Sequence, residues 1–370
     1  MEAVPHYRRI YNFLLTEISS GRLKNGDQVP SEKKLCETFG VSRITGKRAL
    51  ELLAEQGYIE RFPGKGSFVS DPVRTPGSRS MDRTLALLMP DYSDAFGVNL
   101  LNGIIDSCTG LGYHLILKRT RDQIREEENS VRALFEAGTA GFLIVPIHGE
   151  FYNPEILKLT LSNKPLVFID RKMPGLKVPS VSTDNQGGAI LGVEYLFRLG
   201  HRNIGFYSGP VKDTSSIEER RDGFLQAFVD FEVKCKADYF CHSLHSPWTF
   251  PFYDKERVNA DIQQVTEHIK LHPELSAAFV AEYRMALIVK QAAGILGRRV
   301  PEDFSILCFD SPSSSIEIPP FTHILQDEYT IGSRAVELLH DLVSTQGAQV
   351  SGPIAIQPKL VVGASTASLY

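Results

Sequence analysis

No stretch of this chain approaches the roughly 18 consecutive apolar residues that a membrane-spanning helix requires. The N-terminus, MEAVPHYRRIYNF, lacks the long apolar core of a secretory signal. Cysteine is scarce, and Cys36, Cys108, Cys235, Cys241 and Cys308 are odd in number and far apart. Neither a disulfide framework nor a zinc-ligand spacing is visible among them. Cys308 lies within FSILCFD, a setting where a thiol behaves as a small hydrophobe. A reduced, cytoplasmic protein with no membrane partner is expected. Catalytic signatures are missing as well: there is no G-x-S-x-G elbow, no HExxH and no Walker A pattern. Carboxylates such as Glu126 and Glu128 read as a solvated helix face. No catalytic residue, metal site or cofactor is expected.

A strong positive charge is also lacking. The formal net charge of −4 excludes a chain that is basic throughout, so any nucleic-acid role needs its cations gathered locally. Residues 1–72 hold 11 Lys and Arg against 9 Asp and Glu, which leaves the remainder acidic. At 370 residues, 42% of them hydrophobic, the chain is long enough for two or three domains with their own cores.

What is present is concentrated first between Pro30 and Val69. Ser31 is placed to cap a helix with apolar positions Leu35, Cys36 and Phe39, and Gly40 supplies a sharp turn. Ser42 is placed to cap a second helix running to about Gln56, with Ile44, Ala49, Leu52 and Leu53 as its expected buried stripe and Gly57 as its stop. Ser42, Arg43, Thr45 and Lys47 remain on its outer face near the N-terminus, a basic, hydroxyl-bearing patch suited to phosphates and base edges. Residues 58–62 and 67–70 alternate like two short strands joined by PGKG. An amphipathic helix from about Pro5 to Ser20 precedes all this.

The segment from Tyr7 to Val69 resembles the winged helix-turn-helix of the GntR family of bacterial transcription regulators. The resemblance is carried by YRRIYNFLLTEISSGRLKNGDQVPSE, by the VSR before the second helix and by GKGSFV. It implies that Lys33, Ser42, Arg43, Thr45 and Lys47 face DNA, with Lys65 and Gly66 at the wing tip. Gly46 departs from the family, which usually carries a β-branched or aliphatic residue there. A mid-helix glycine costs roughly 0.5–1 kcal/mol, and here it either brings the helix closer to DNA or marks a weak spot.

DPVRTPGSRSMDR, with its prolines and no apolar period, reads as a linker. Beyond it the rhythm changes. TLALLMP, YHLILK, GFLIVP, PLVFID, NIGFYSG, AAFVA and FSILCFD read as buried strands, alternating with helices such as Asn99–Leu111, Gln186–Leu199, Ile217–Phe231 and Tyr283–Leu296. That alternation predicts parallel doubly wound sheets, and the number of units favours two lobes with a cleft between them.

This part resembles the effector-binding core of the lactose/galactose repressor family, whose fold is that of periplasmic sugar-binding proteins. FIDRKMPGLKVPSVSTDNQGGAILGVEYLFRLGHRNIGFYSGP, SSIEERRDGFLQAF, VPEDFSILCFDSP and FTHILQDEYTIGSRAVELL carry the likeness. A GntR-type head on such a core is a minority arrangement, similar to that of arabinose-responsive repressors. The expected fold is therefore α/β: a winged helix-turn-helix over residues 1–70, a linker over 71–83 and a two-lobed periplasmic-binding-protein-like core over 84–370. Lobe 1 is expected at about 84–182 and 328–346, lobe 2 at about 183–326 and 350–370.

Ligands of such sheets sit at the C-terminal ends of strands. Asp91, Phe96, Arg220, Asp310 and Gln326 stand at such ends, and Trp248 in SPWTF is a further aromatic candidate. Carboxylates, amides and a guanidinium bind paired sugar hydroxyls, and an aromatic face covers a sugar ring. The resemblance assigns ligand contact to Arg220, Asp310 and Gln326, and a ring-covering role to Phe96. His201, in LGHRNI, reads as a loop organiser. Glu282 and Tyr283 stand where the family commonly has Asn-Asp, and a carboxylate at Glu282 favours a donor-rich or cationic ligand. The expected function is a dimeric repressor of carbohydrate-use genes that binds operator DNA under control of a small ligand, a sugar being the first choice. The rivals are a regulator answering an amino or cationic ligand, a sugar-processing or pyridoxal-phosphate enzyme, and a transport-binding protein.

Overall fold

The structure is a computed structural model describing residues 5–19, 22–55, 57–70, 81–147, 153–212, 214–245, 254–312, 318–345 and 352–369. It divides into two compact units, Met1–Asp82 and Arg83–Tyr370.

The first unit holds helices α1 (His6–Ser19), α2 (Glu32–Phe39) and α3 (Arg43–Glu55) and a hairpin of β1 (Ile59–Phe62) and β2 (Gly66–Val69). Ser31 caps α2 by accepting from the Lys34 amide, and Gly40 ends it at φ 63°, where a side chain is disfavoured. Ile10, Leu14, Leu35, Ala49, Leu50, Leu53, Ile59 and Val69 form one core. The buried stripe of α3 is thus Gly46, Ala49, Leu50 and Leu53, at the i, i+3, i+4, i+7 spacing of a single face. This corrects the expected stripe at two positions: Ile44 is 81% exposed and Leu52 only partly covered. Two residues away from Gly46, Ile44 is rotated by roughly 200° around the helix and cannot share its face.

In the second unit, the first lobe runs β3 (Thr84–Met89), α4 (Val98–Gly110), β4 (His114–Arg119), α5 (Ile124–Glu136), β5 (Gly141–Ile144), α6 (Pro154–Leu161), β6 (Leu166–Ile169) and β7 (Ser180–Thr183). The second runs α7 (Asn185–Arg198), β8 (Ile204–Tyr207), α8 (Ser215–Asp230), β9 (Phe240–Cys241), α9 (Lys255–Leu271), β10 (Ala277–Val280), α10 (Tyr283–Ile295), β11 (Ser305–Phe309) and β12 (Thr322–Leu325). Helix α11 (Glu328–Ser344) then returns to the first lobe, followed by β13 (Ile354–Ile356) and β14 (Lys359–Val361).

The two sheets have strand orders β13-β7-β6-β5-β3-β4 and β14-β12-β11-β10-β8-β9. Every pairing is parallel except that of β12 with β14. The central strands are buried along their whole length because helices cover both faces, which is why they read as unbroken apolar runs. Strand β13 pairs with β7, so residues 350–370, expected wholly in lobe 2, supply one strand to each sheet. The chain therefore passes between lobes three times, after Thr183, after Gln326 and between Ile356 and Lys359. Residues 71–80 of the expected linker lie outside the described residues, and Met81–Arg83 form a single 3-10 turn.

Candidate functional site

Two groups of residues bear chemistry, one in each unit. In the first unit, Ser42 precedes α3 and its hydroxyl lies 2.9 Å from that of Thr45. Arg43, Lys47 and Arg48 project from the first turns as exposed cations, with Ile44 between them. Lys47 and Arg48 approach Glu51 at 3.7 and 4.0 Å, surface pairs of little worth that yield readily to another anion. Lys33 is exposed on α2, and Lys65 is exposed at the hairpin tip. Gly66 follows it at φ 113°, and a Cβ there would meet the Gln28 amide at 2.6 Å. That amide donates to the Lys65 carbonyl at 3.0 Å and so fixes the tip. The expected DNA-facing residues all lie on the outer surface except Thr45, which is half-buried. Arg48 and Ile44 share that exposed face though the sequence did not single them out: the first carried no special spacing, and the second was assigned to the core.

Gly46 is buried against α2, and a Cβ on it would lie 3.0 Å from the Cys36 sulfur. The glycine serves the approach of two helices to each other.

In the second unit, a cleft of about 140 Å³ opens where strands of both sheets end. Asp91, Phe96, Arg220, Glu282, Asp310 and Gln326 all line it. Trp248, the seventh expected ligand residue, lies outside the described residues. Asp310 ends β11 with a left-handed backbone (φ 64°) that turns its side chain inward, where it is 7% exposed. Gln326, at the end of β12, donates its amide to both Asp310 oxygens at 2.9 and 3.1 Å. Burial pushes the Asp310 carboxyl up to about 8; Glu328 and Asp170 add to this, while Arg220 and Gln326 oppose it. Arg220, buried on α8, donates to the Asn185 side chain at 2.8 Å and to the Ala281 carbonyl at 2.7 Å. Its guanidinium also stacks 3.8 Å above the Phe309 ring. Asp91 meets Arg119 at 2.7 Å and, from the opposite lobe, Arg284 at 3.9 Å. Glu282 immediately precedes α10 and is half-buried at the cleft wall.

Asp170 and Arg171, at the end of β6, were missed although they line the same cleft and pair at 3.4 Å. A signal existed: FID and CFD close matching strands in the two lobes, and both aspartates have φ 64°. The cleft is bridged on another side by Lys172, whose ammonium meets Glu219 at 2.6 Å and whose amide donates to Ser215 at 2.9 Å. His201 is buried, with its ring nitrogens 2.9 Å from the Ser276 hydroxyl and 3.1 Å from the Ala367 carbonyl, so it pins the C-terminal segment to lobe 2. Glu126 is exposed as expected for a solvated face, but Glu128 is half-buried, and Glu127 between them is buried with its carboxyl pushed up to about 7. Among the described residues no cluster has the make-up of a metal site, and no helix is long and apolar enough to cross a membrane.

Comparison with known proteins divides the chain in the same way. Residues 6–69 match the bacterial regulatory proteins of the gntR family, and residues 193–366 match the periplasmic binding protein-like domain. The arabinose metabolism transcriptional repressor of Geobacillus stearothermophilus is 26% identical over 99% of this chain and 98% of its own. The transcriptional repressor CytR of Escherichia coli K12 is 27% identical over 89% of each chain. Among solved structures, the transcription regulator CcpA of Lactococcus lactis superposes with a TM-score of 0.65 at 20% identity, covering 76% of this chain and 98% of its own. A LacI family regulator from Enterococcus faecium with bound ribose gives 0.61 at 21% identity, covering 78% and 100%. These likenesses establish the fold of the core.

Proposed function

We propose that this chain, a gntR-family DNA-binding domain joined to a periplasmic-binding-protein-like core, is a cytoplasmic repressor of carbohydrate-use genes. Its operator affinity is set by a small sugar bound between the two lobes. The observation that carries the ligand half is the convergence of six polar and aromatic side chains, drawn from both sheets, on one cleft at the strand ends. Asp310, held by Gln326, accepts sugar hydroxyls, and Arg220 supplies a rigid donor from the same wall. Phe96 offers a ring to the apolar face of a pyranose or furanose. The relatives named above, both transcriptional repressors, support the regulatory half.

On the DNA side, Arg43, Lys47 and Arg48 give α3 a basic outer face for the major groove, with Ser42 and Thr45 at its start. Lys33 on α2 and the Lys65–Gly66 wing tip add phosphate contacts. Ile44 places an apolar surface among those cations, the kind that packs on a thymine methyl. One head makes few base contacts, so two chains on a palindromic operator form the working unit. Sugar binding changes lobe closure and with it the geometry of the dimer, a coupling typically worth about 1–3 kcal/mol.

The test is electrophoretic shift of an operator recovered by selection from random DNA, with and without a panel of pentoses and hexoses. Light scattering on the same samples gives the number of chains per complex. Selective binding altered by one sugar supports the reading. Absence of any sequence preference removes the DNA half, and operator binding indifferent to every sugar removes the sensor half.

A further inference from the structure

The orientation of Arg220 in the cleft depends on a chain of contacts that reaches the other lobe. Its Nε–H donates to the Asn185 side-chain oxygen at 2.8 Å and its Nη1 to the Ala281 carbonyl at 2.7 Å, which fixes the plane of the guanidinium. Asn185 is 1% exposed and begins α7 just beyond the first passage between the lobes. Its amide nitrogen donates to the Thr183 carbonyl and to Oε2 of Glu219, both at 3.2 Å. That polarity is forced, because a reversed amide would set N–H groups against the guanidinium and an oxygen against the carboxylate. The other oxygen of Glu219, Oε1, accepts from the Lys172 ammonium at 2.6 Å. Lys172 belongs to lobe 1, just beyond the cleft residues Asp170 and Arg171, and its amide donates to the Ser215 hydroxyl in the first turn of α8 at 2.9 Å. One carboxylate thus receives the lobe-1 cation on one oxygen and the amide that orients Arg220 on the other. Glu219 and Arg220 are consecutive on α8, so Arg220 lines the cleft while Glu219 and Lys172 line a second groove.

We infer that Glu219 positions Arg220 for the effector, and that the Lys172–Glu219 pair is an interlobe latch which forms when the lobes close and then holds the arginine in its binding orientation. Asn185, Glu219, Arg220 and Ala281 all belong to lobe 2 and move together, whereas Lys172 belongs to lobe 1. Separation of the lobes therefore removes the cation alone. It leaves one oxygen of Glu219 untethered, and the Asn185 amide and the guanidinium behind it lose their fixed end. The inference rests on the proposal that the cleft is the effector site, and its test separates the two.

The test is calorimetry with L-arabinose, D-ribose and D-galactose, together with hydrogen exchange of the unliganded full-length chain. The variants are Lys172→Met, Glu219→Gln, the two combined, and Glu219→Ala. Lys172→Met and Glu219→Gln each remove the ion pair, and the second keeps an acceptor for Asn185. Each should weaken binding of the sugar by about threefold, the order expected of a half-exposed pair. The double variant should lose no more than either single one. Glu219→Ala also deprives Asn185 of its acceptor and should weaken binding by about tenfold or more. Raising salt from about 0.05 to about 1 M should weaken a neutral sugar's binding to the native chain and leave Lys172→Met unaffected, which a residue that only supports the fold would not do. In hydrogen exchange, residues 183–188 and 215–220 should exchange faster in Lys172→Met than in the native chain, with β3 and β10 unchanged. Unchanged exchange in Lys172→Met, or single losses that add in the double variant, would overturn the latch while leaving a sugar-binding cleft in place. Binding by Glu219→Ala equal to that by Glu219→Gln would remove the positioning role. If no sugar binds and Lys172→Met still exchanges faster, the latch stands and the sugar reading falls.

Discussion

The amide of Gln326 holds both oxygens of the Asp310 carboxyl, at 2.9 and 3.1 Å, while its own carbonyl accepts the Thr183 hydroxyl at 2.5 Å. The three residues connect the cleft to the places where the chain changes lobe. Thr183 ends β7 immediately before the first passage, and Gln326 follows β12 immediately before the second. The third passage is tied in beside them, since the Asp184 amide donates to the Ile356 carbonyl and Gln357 donates to the Asp184 side chain at 3.0 Å. A ligand that reorients Asp310 therefore acts directly on the segments that join the lobes. Gln326→Leu should leave unliganded operator binding within about twofold and raise the effector concentration needed for half response by tenfold or more, since buried polar partners would be stranded. Operator titration at graded sugar concentrations measures both quantities.

Asp310 also predicts a pH dependence. Its carboxyl stands at about 8 in the fold against an ordinary 3.8. Below the lower value both states are protonated; between the two, the folded chain keeps a proton that the unfolded chain has released. The stability this group contributes is therefore full in acid and is lost as pH rises through about 8. Melting curves from pH 5 to pH 9 should fall more steeply for the native chain than for Asp310→Asn. A sugar that donates hydroxyls to the carboxylate should release a proton on binding near neutral pH and bind more tightly as pH rises toward 8. Calorimetry in buffers of different ionisation enthalpy reads that proton.

The cations and the apolar residue of α3 should fail in different ways. Arg43→Ala should weaken operator binding by tenfold or more, in line with the roughly 1–3 kcal/mol of a specific contact. If Arg43 binds phosphate instead, the loss should be similar on all sequences and the salt slope should fall by about one. Ile44→Ala should lose less overall, and its loss should vanish on an operator in which one thymine is replaced by uracil. Sugar binding by either variant should match the native chain in calorimetry.

The sequence was most legible where one residue pattern answers to one structural demand. Strands buried on both faces must be apolar throughout, and β3, β5, β6, β8, β10 and β11 were readable for that reason; β4, expected buried as well, is an edge strand whose residues are all exposed or half-exposed. Strands β7, β9, β13 and β14 were not readable, because they are only two to four residues long and polar or half-exposed. The cleft was readable from polar residues standing at strand ends, and Asp170 escaped only because the match between FID and CFD was not drawn. Partnership was less legible than position. Asp91 stands at a strand end as expected, but that its carboxylate lies between Arg119 and Arg284 depends on three segments far apart in the chain.

Gly46 shows the same limit in the first unit, where closer DNA approach and a weak spot were the two readings open. It lies in the middle of the buried stripe of α3, and the nearest heavy atom to its missing Cβ is the Cys36 sulfur, which also contacts the Ser42 carbonyl at 3.3 Å. An added methyl must displace that sulfur by a few tenths of an ångström and disturb the contact it makes with the residue preceding α3. Gly46→Ala therefore sets a helix-propensity gain of about 1 kcal/mol against overpacking of about 1–3 kcal/mol, and should come out neutral to destabilising. With Cys36→Ala in place the sulfur is gone, and adding Gly46→Ala to that variant should raise stability by about 0.5–1 kcal/mol. Urea denaturation of the four chains of this cycle, followed by circular dichroism, measures the coupling. A coupling near zero would mean that the helices separate easily and that the glycine is not required by their contact.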